Sequence, residues 1–134
     1  MATIHTIYLG NLRTEAEHLQ SGNKLITDAP LDNNGKGEAF SPTDLLAASL
    51  GSCMLTIMGI AASTHNMSIE GTTASITKIM AAEPRRVSEI HIEVKFPLTF
   101  SDKEKSILEH AARTCPVLYS LHPDIKKEIS FKYE

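Results

Sequence analysis

The chain has 134 residues, of which 42% are hydrophobic and 22% are charged, with seven glycines and six prolines. This composition excludes collagen-like, low-complexity and disordered proteins, and the length predicts one domain spanning residues 1–134. The formal net charge is -3, so no basic face is available to bind many phosphates. We therefore expect no nucleic-acid partner and no binding to an anionic membrane surface.

The N-terminal part of the chain predicts a three-stranded meander followed by a loop. Residues 4–9, 12–19 and 24–28 have strand-like patterns, and they are separated by turn-forming residues. Residues 29–40 collect turn formers and have no periodicity. Loops of this length often line functional sites.

A long uncharged helix is predicted next. Ser41, Pro42 and Asp44 are typical of a helix start, with a serine cap, a proline at the first helical position and an acid in the first turn. The helix is expected to run to about Thr64, and it carries no formal charge between residues 45 and 62.

Two strands follow. Residues 68–80 are rich in isoleucine and threonine, and Gly71 is interpreted as a bulge within them. Residues 87–96 alternate strictly, which predicts a strand with one buried face. The apolar face consists of Ile90, Ile92, Val94 and Phe96.

The C-terminal part predicts a second helix, a short helix and a last strand. A capping box at Ser101 begins the second helix, whose apolar residues repeat with helical spacing until Pro116. Residues 116–121 predict one or two further helical turns, and residues 125–133 alternate as a strand.

The uncharged stretch 45–62 is long enough to span a membrane. However, small polar residues and glycines dilute it, no lysine or arginine flanks it closely, and predicted strands surround it, so we interpret it as a helix buried on nearly all sides. One sheet of a small α+β domain covers only one side of such a helix. We therefore predict an obligate homodimer in which the helices meet at small residues. These residues are Ala47, Ala48, Gly51 and Ser52.

The chain has two cysteines, Cys53 and Cys115, too few for a disulfide scaffold of the kind that small secreted domains use. The N-terminus lacks the basic start and long apolar stretch of a secretory signal. The predicted location is therefore the cytoplasm.

Cys53 is a candidate nucleophile. It lies more than two turns inside the predicted helix, where the helix dipole has little effect. Because the thiolate is the reactive species and apolar burial disfavours it, a cation from elsewhere in the fold would be needed. Arg13, on the second predicted strand, is the best candidate by residue type, since a guanidinium stays charged when desolvated and donates forked hydrogen bonds.

Cys115 stands directly before Pro116, so it is predicted to cap the next helix and to face free backbone amides. We expect these amides to lower the pKa of Cys115 and to make its sulfur a good leaving group in a disulfide with Cys53. Such a disulfide requires that folding brings the two Cα atoms within about 7 Å. The alternative is that both residues are buried structural cysteines.

Metal and cofactor sites are not predicted. The six histidines form no metal-binding pair with a carboxylate between them, and there is no Cys-x-x-Cys motif. The glycines of residues 32–37 fit neither a calcium loop nor a phosphate loop, and no Gly-x-Ser-x-Gly elbow occurs. We expect Arg85-Arg86 to form a solvated turn.

Two segments of the chain resemble one known family. Residues 41–53, Ser-Pro-Thr-Asp-Leu-Leu-Ala-Ala-Ser-Leu-Gly-Ser-Cys, resemble the central helix of the OsmC/Ohr family, the osmotically inducible and organic hydroperoxide resistance proteins. Residues 114–121, Thr-Cys-Pro-Val-Leu-Tyr-Ser-Leu, resemble the second-cysteine segment of the same family. The order of predicted elements matches over nearly the whole chain.

The resemblance implies an α+β fold, an intertwined homodimer whose antiparallel sheets wrap around two buried central helices, with active sites at the subunit interface. It also implies that Cys53 attacks an organic hydroperoxide and becomes a sulfenic acid, and that Cys115 resolves this acid as a disulfide. A dithiol reductant, either a small molecule or a lipoyl-type protein, would then reduce the disulfide. No cofactor is implied.

The chain departs from the organic hydroperoxide resistance branch at one position. That branch pairs its catalytic arginine with a glutamate directly after the proline of the helix cap, and here the position is Thr43. Asp44 follows but points about 100° further around the helix. Arg13 matches the arginine of the family in type and strand context. The sequence thus resembles a divergent OsmC-like branch.

The leading hypothesis is a thiol peroxidase that uses Cys53, Cys115 and Arg13. The alternative is an OsmC-like dimer that senses redox state or binds an apolar ligand without efficient peroxide turnover. A purely structural dimer with unreactive thiols is the third hypothesis.

Overall fold

Two three-stranded sheets and three α-helices form an α+β fold, as predicted. The computed structural model describes all 134 residues. These residues divide into two units, Met1–Leu46 and Ala47–Glu134, which are described in turn.

The first unit is the predicted meander. Its strands are β1 (Ile4–Gly10), β2 (Arg13–His18) and β3 (Lys24–Asp28), paired antiparallel in chain order. Residues 29–40 are irregular apart from one 3-10 turn, as the lack of periodicity predicted. The sheet exposes large apolar side chains, so it needs a cover to be stable in water. The exposed residues of its strands are Ile4, Ile7, Tyr8, Leu9, Leu25 and Ile26.

Helix α1 (Pro42–Thr64) confirms the predicted helix and its start. The Ser41 hydroxyl accepts a hydrogen bond from the Asp44 amide at 3.0 Å, and the Asp44 carboxylate accepts one from the Ser41 amide at 2.9 Å. This reciprocal cap satisfies two otherwise unpaired amides.

By length and composition alone, α1 could cross a membrane. One face of the helix, however, is buried within the protein, as in the core helix of a globular fold. The buried residues are Ala47, Leu50, Gly51, Met54, Met58 and Ala62. The single chain does not bury the helix on all sides, as the sequence predicted. The opposite face of α1 is exposed, for example at Ile60, which is 59% exposed.

Gly51, one of the small residues predicted to lie where the helices of two subunits meet, packs against the chain's own sheet. A Cβ atom at this position would lie 2.3 Å from Cδ1 and 3.0 Å from Cγ1 of Ile76. Glycine is therefore needed because the helix and the sheet approach closely here.

We expect Gly51→Ala to destabilise the protein by about 1–2 kcal/mol, since overpacking at Ile76 outweighs the helix propensity gained from alanine. Ile76→Val removes the Cδ1 atom that the new methyl group would strike. The double variant should therefore lose less stability than the sum of the two single variants. Urea unfolding followed by circular dichroism measures all four proteins, and strictly additive losses would contradict the predicted contact.

The second unit contains a mixed sheet. Strands β4 (Thr73–Ala81) and β5 (Arg86–Lys95) form an antiparallel hairpin, whereas β6 (Lys126–Lys132) pairs parallel with β5. The expectation of antiparallel sheets is therefore wrong for this strand pair. The physical reason is that a helical crossover, rather than a tight turn, joins β5 to β6. Gly71 lies in a turn with φ of 85° before β4, not in a bulge.

The crossover consists of α2 (Asp102–Ala112) and α3 (Pro116–Ser120). The predicted capping box of Ser101 and Glu104 begins α2. The aromatic ring of Phe96 stacks on that of Tyr133 with 4.7 Å between their centroids, and the Tyr133 hydroxyl donates a hydrogen bond to Glu109 of α2 at 2.7 Å. These contacts fix α2 on the sheet, and α2 leads directly to Cys115.

Candidate active site

Cys53 lies in the middle of α1 and is partly exposed. Its neighbour Met54 is fully buried, so Cys53 stands beside the buried face of the helix and is not sealed within it. A thiol in this position is accessible to small molecules while it packs against the hydrophobic core.

Cys115 is the N-cap of α3, as predicted from Pro116. Its Sγ accepts a hydrogen bond from the Leu118 amide at 3.3 Å. Unlike Cys53, it is completely buried, with 0% exposure.

The predicted direction of the Cys115 pKa is wrong. Burial raises the pKa of Cys115 above its usual value, and the amides of Leu118 and Val117 offset only part of this effect. The neighbouring Cys53 raises it further, through a hydrogen bond and through the charge that Cys53 carries when ionised.

The two thiols form an interacting pair. Cys53 lies near enough to Cys115 to raise its pKa, both belong to the same hydrophobic core cluster, and neither is in a disulfide in this structure. The structure therefore brings together the two cysteines that the sequence singled out.

Arg13 belongs to the first unit, on β2, and is engaged there by two carboxylates. Its Nε lies 3.4 Å from Oδ1 of Asp28, and its Nη2 lies 3.2 Å from Oε1 of Glu38. Sequence reasoning missed both partners. The signal for Asp28 was present in the meander, because the turn after β2 fixes a register that places Arg13 opposite Asp28.

Thr43 and Asp44 belong to the cap of α1. The Thr43 hydroxyl lies 3.2 Å from the Ser41 hydroxyl. The Asp44 carboxylate accepts the hydrogen bond of the Ser41 amide. Asp44 thus has a local structural role at the helix start.

The remaining candidate residues have surface contacts. His91 pairs with Glu89 on β5 at 2.9 Å, and Arg86 donates to the carbonyls of Ala82 and Pro84 in the β4–β5 turn. No group of three or more histidine, cysteine or acidic side chains is arranged to hold a metal ion.

Comparison with known families gives a clear result. The family model described as OsmC-like protein matches residues 35–130, which include α1 and both cysteines. The chain belongs to the OsmC-like protein family. No curated protein matches the chain significantly.

Solved structures of OsmC-like proteins support this assignment. A crystal structure from Psychrobacter arcticus 273-4, of a protein named for osmotic stress induction and a detoxification response, shares 58% identity with this OsmC-like chain. The match covers 98% of this chain and 96% of that one, with a TM-score of 0.95.

Two further solved structures have the same fold at much lower sequence identity. An organic hydroperoxide resistance protein OsmC from Legionella pneumophila is 17% identical over 98% of each chain, with a TM-score of 0.76. An organic hydroperoxide resistance protein from Elizabethkingia anophelis, with crystallant-derived thiocyanate bound, is 14% identical over 100% of this chain and 98% of its own, with a TM-score of 0.77. These two likenesses are of fold alone.

Proposed function

We propose that this OsmC-like protein is a cysteine-based peroxidase that reduces organic hydroperoxides. The observation that carries the proposal is the thiol pair: a partly exposed Cys53 near a fully buried Cys115, with both cysteines in the same hydrophobic core cluster. Family membership and relatives named for organic hydroperoxide resistance support a peroxide-related redox role. An exposed attacking thiol beside a shielded resolving thiol is the arrangement that such chemistry needs.

In the proposed reaction, the Cys53 thiolate attacks one oxygen of the hydroperoxide. A sulfur–oxygen bond forms and the O–O bond breaks, so the peroxide is reduced by two electrons and leaves as an alcohol after taking up a proton. Cys53 becomes a sulfenic acid. The Cys115 sulfur then attacks Cys53, its proton leaves with the displaced hydroxide as water, and a disulfide forms. A dithiol reductant, either a small molecule or a lipoyl-type protein, restores both thiols and is itself oxidised to a disulfide.

Arg13 is proposed to supply the cation that stabilises the Cys53 thiolate. The same cation would stabilise the negative charge that develops on the leaving oxygen. A guanidinium suits this role because it stays charged when partly buried. The Arg13 side chain is 33% exposed and is held by a buried carboxylate. We place this chemistry in the cytoplasm, where thiols are kept reduced.

The active form is proposed to be a homodimer. The outward face of α1 and the meander expose apolar residues, among them Ile60 and Ile4. Exposed apolar surface of this kind marks an interface between proteins. Sedimentation equilibrium should give twice the 14.7 kDa mass of one chain, and a mass of one chain at micromolar concentration would refute the dimer.

The test of the proposed function is turnover by the wild-type protein. With cumene hydroperoxide and excess dithiothreitol, peroxide should be consumed catalytically. Without the reductant, one equivalent of peroxide should convert the protein to a form lighter by two hydrogen atoms. A disulfide that forms without catalytic turnover would indicate a redox sensor instead. If the protein neither consumed the peroxide nor formed the disulfide, both functions would be refuted.

A further inference from the structure

The environment of Asp28 is unusual for a carboxylate. Its side chain is completely buried at the end of β3, where acidic groups are almost never found unpaired. Its Oδ1 accepts a hydrogen bond from Nε of Arg13 at 3.4 Å, and its Oδ2 accepts one from Nη2 at 3.5 Å. This side-on contact uses the Nε/Nη2 edge of the guanidinium and leaves Nη1 outside it.

Asp28 is itself held in place. The Glu38 amide donates a hydrogen bond to Oδ2 at 2.9 Å, which links β3 to the loop of residues 29–40. This hydrogen bond is the largest effect that lowers the pKa of Asp28, whereas burial raises the pKa. The hydrogen bond and the charge of Arg13, and the charge of Lys36, lower the pKa further, so the net shift is downward. Asp28 is therefore a fixed, ionised carboxylate at neutral pH.

Glu38 provides a comparison on the same guanidinium. Its Oε1 lies 3.2 Å from Nη2 of Arg13, but its side chain is 61% exposed. An exposed carboxylate on a flexible side chain is screened by water and fixes the geometry of its partner weakly. Of the two acids, Asp28 is better suited to hold the plane of the Arg13 guanidinium, because it is buried, contacts two of its nitrogens and is itself fixed by the Glu38 amide.

We infer that Asp28 is the positioning residue for Arg13: it fixes the plane of the guanidinium that Arg13 uses in its proposed role toward the Cys53 thiolate. This inference rests on the proposed function, because it assumes that Arg13 assists the Cys53 thiolate. Asp28 does not touch the reacting atoms; it acts through Arg13.

The test compares Asp28→Asn with Glu38→Gln, which remove the same charge from the same guanidinium. D28N retains an oxygen that can accept from the Glu38 amide, so the loop contact is kept. Two readouts are measured: the rate of Cys53 oxidation by cumene hydroperoxide, and the pH midpoint of Cys53 alkylation by iodoacetamide. The alkylation uses the Cys115→Ser background, in which Cys53 is the only thiol.

We expect D28N to slow oxidation about tenfold, since a small displacement of a positioned group has effects of this order. It should also raise the alkylation midpoint, whereas E38Q should leave both readouts within twofold of the parent. In an Arg13→Ala background D28N should cause no further loss, because Asp28 acts through Arg13. If Arg13→Ala does not fold with Asp28 unpaired, Arg13→Gln replaces it in the cycle, because its neutral amide can donate to Asp28 but supplies no cation.

Losses that add in the double variant, or equal effects of D28N and E38Q, would overturn the inference. Unchanged readouts in Arg13→Ala would overturn it as well, together with the role of Arg13. If the wild type is not oxidised by hydroperoxide at all, the proposed function fails separately, and the alkylation midpoints still decide whether Asp28 acts on Cys53 through Arg13.

Discussion

We expect Cys53→Ser to abolish the consumption of cumene hydroperoxide, with a loss of about 10³-fold or more, because the proposed enzyme would lose its nucleophile. The substitution removes the partly exposed sulfur from the middle of α1. A serine hydroxyl at this position cannot form the sulfenic acid on which the cycle depends. Coupled consumption of dithiothreitol, followed spectroscopically, measures the loss.

Ser52→Ala is the matched control, because Ser52 is the preceding residue of α1 and is exposed. It should retain turnover and the same helix content as the wild type. Residual catalytic turnover in Cys53→Ser well above the uncatalysed rate would exclude Cys53 as the nucleophile. Cys115 would be a poor alternative nucleophile, because it is buried and its pKa is raised.

Local chemistry in the sequence was sufficient to predict the ends of several elements. The cap of α1 depends on Ser41 and Asp44, and the cap of α3 depends on Cys115 and Pro116, all of which are near neighbours in the chain. Interactions of this range are encoded by spacing, so they can be read without knowing the fold.

Properties set by distant residues could not be predicted in the same way. The sequence predicts the backbone amides that face Cys115. The direction of its pKa shift, however, depends on burial by the core cluster, whose other members come from α1, α2 and the sheet. The parallel pairing of β6 likewise depends on how the crossover returns to the sheet, which the alternation of residues 125–133 does not specify.

Only the part of the candidate site that depends on local motifs could be predicted from the sequence. The two cysteines lie in recognisable motifs, so the sequence alone identifies both of them as candidates. Asp28 has no motif, and a strand pattern gives no sign that an acid at its end is buried. Only the strand register, which places Asp28 opposite Arg13, indicates that the two residues pair.

Cys115→Ser separates the two chemical steps of the proposed cycle. Serine is a good helix N-cap, and its oxygen can accept the Leu118 amide hydrogen bond that Sγ accepts in the native protein. We therefore expect the free energy of unfolding to change by about 1 kcal/mol or less. The first oxidation of Cys53 should proceed, because that thiol remains in place.

Without the resolving thiol, the Cys53 sulfenic acid has no intramolecular partner. It should persist long enough to be trapped by dimedone, and with excess peroxide it should gain a second oxygen and become an irreversibly oxidised sulfinic acid. Intact-mass spectrometry measures both products, and turnover with dithiothreitol should fall progressively as the sulfinic acid accumulates. The wild type under the same conditions should instead stop at the disulfide. If Cys115→Ser resisted over-oxidation as well as the wild type does, Cys115 would not be the resolving residue, and its burial beside Cys53 would be explained by packing alone.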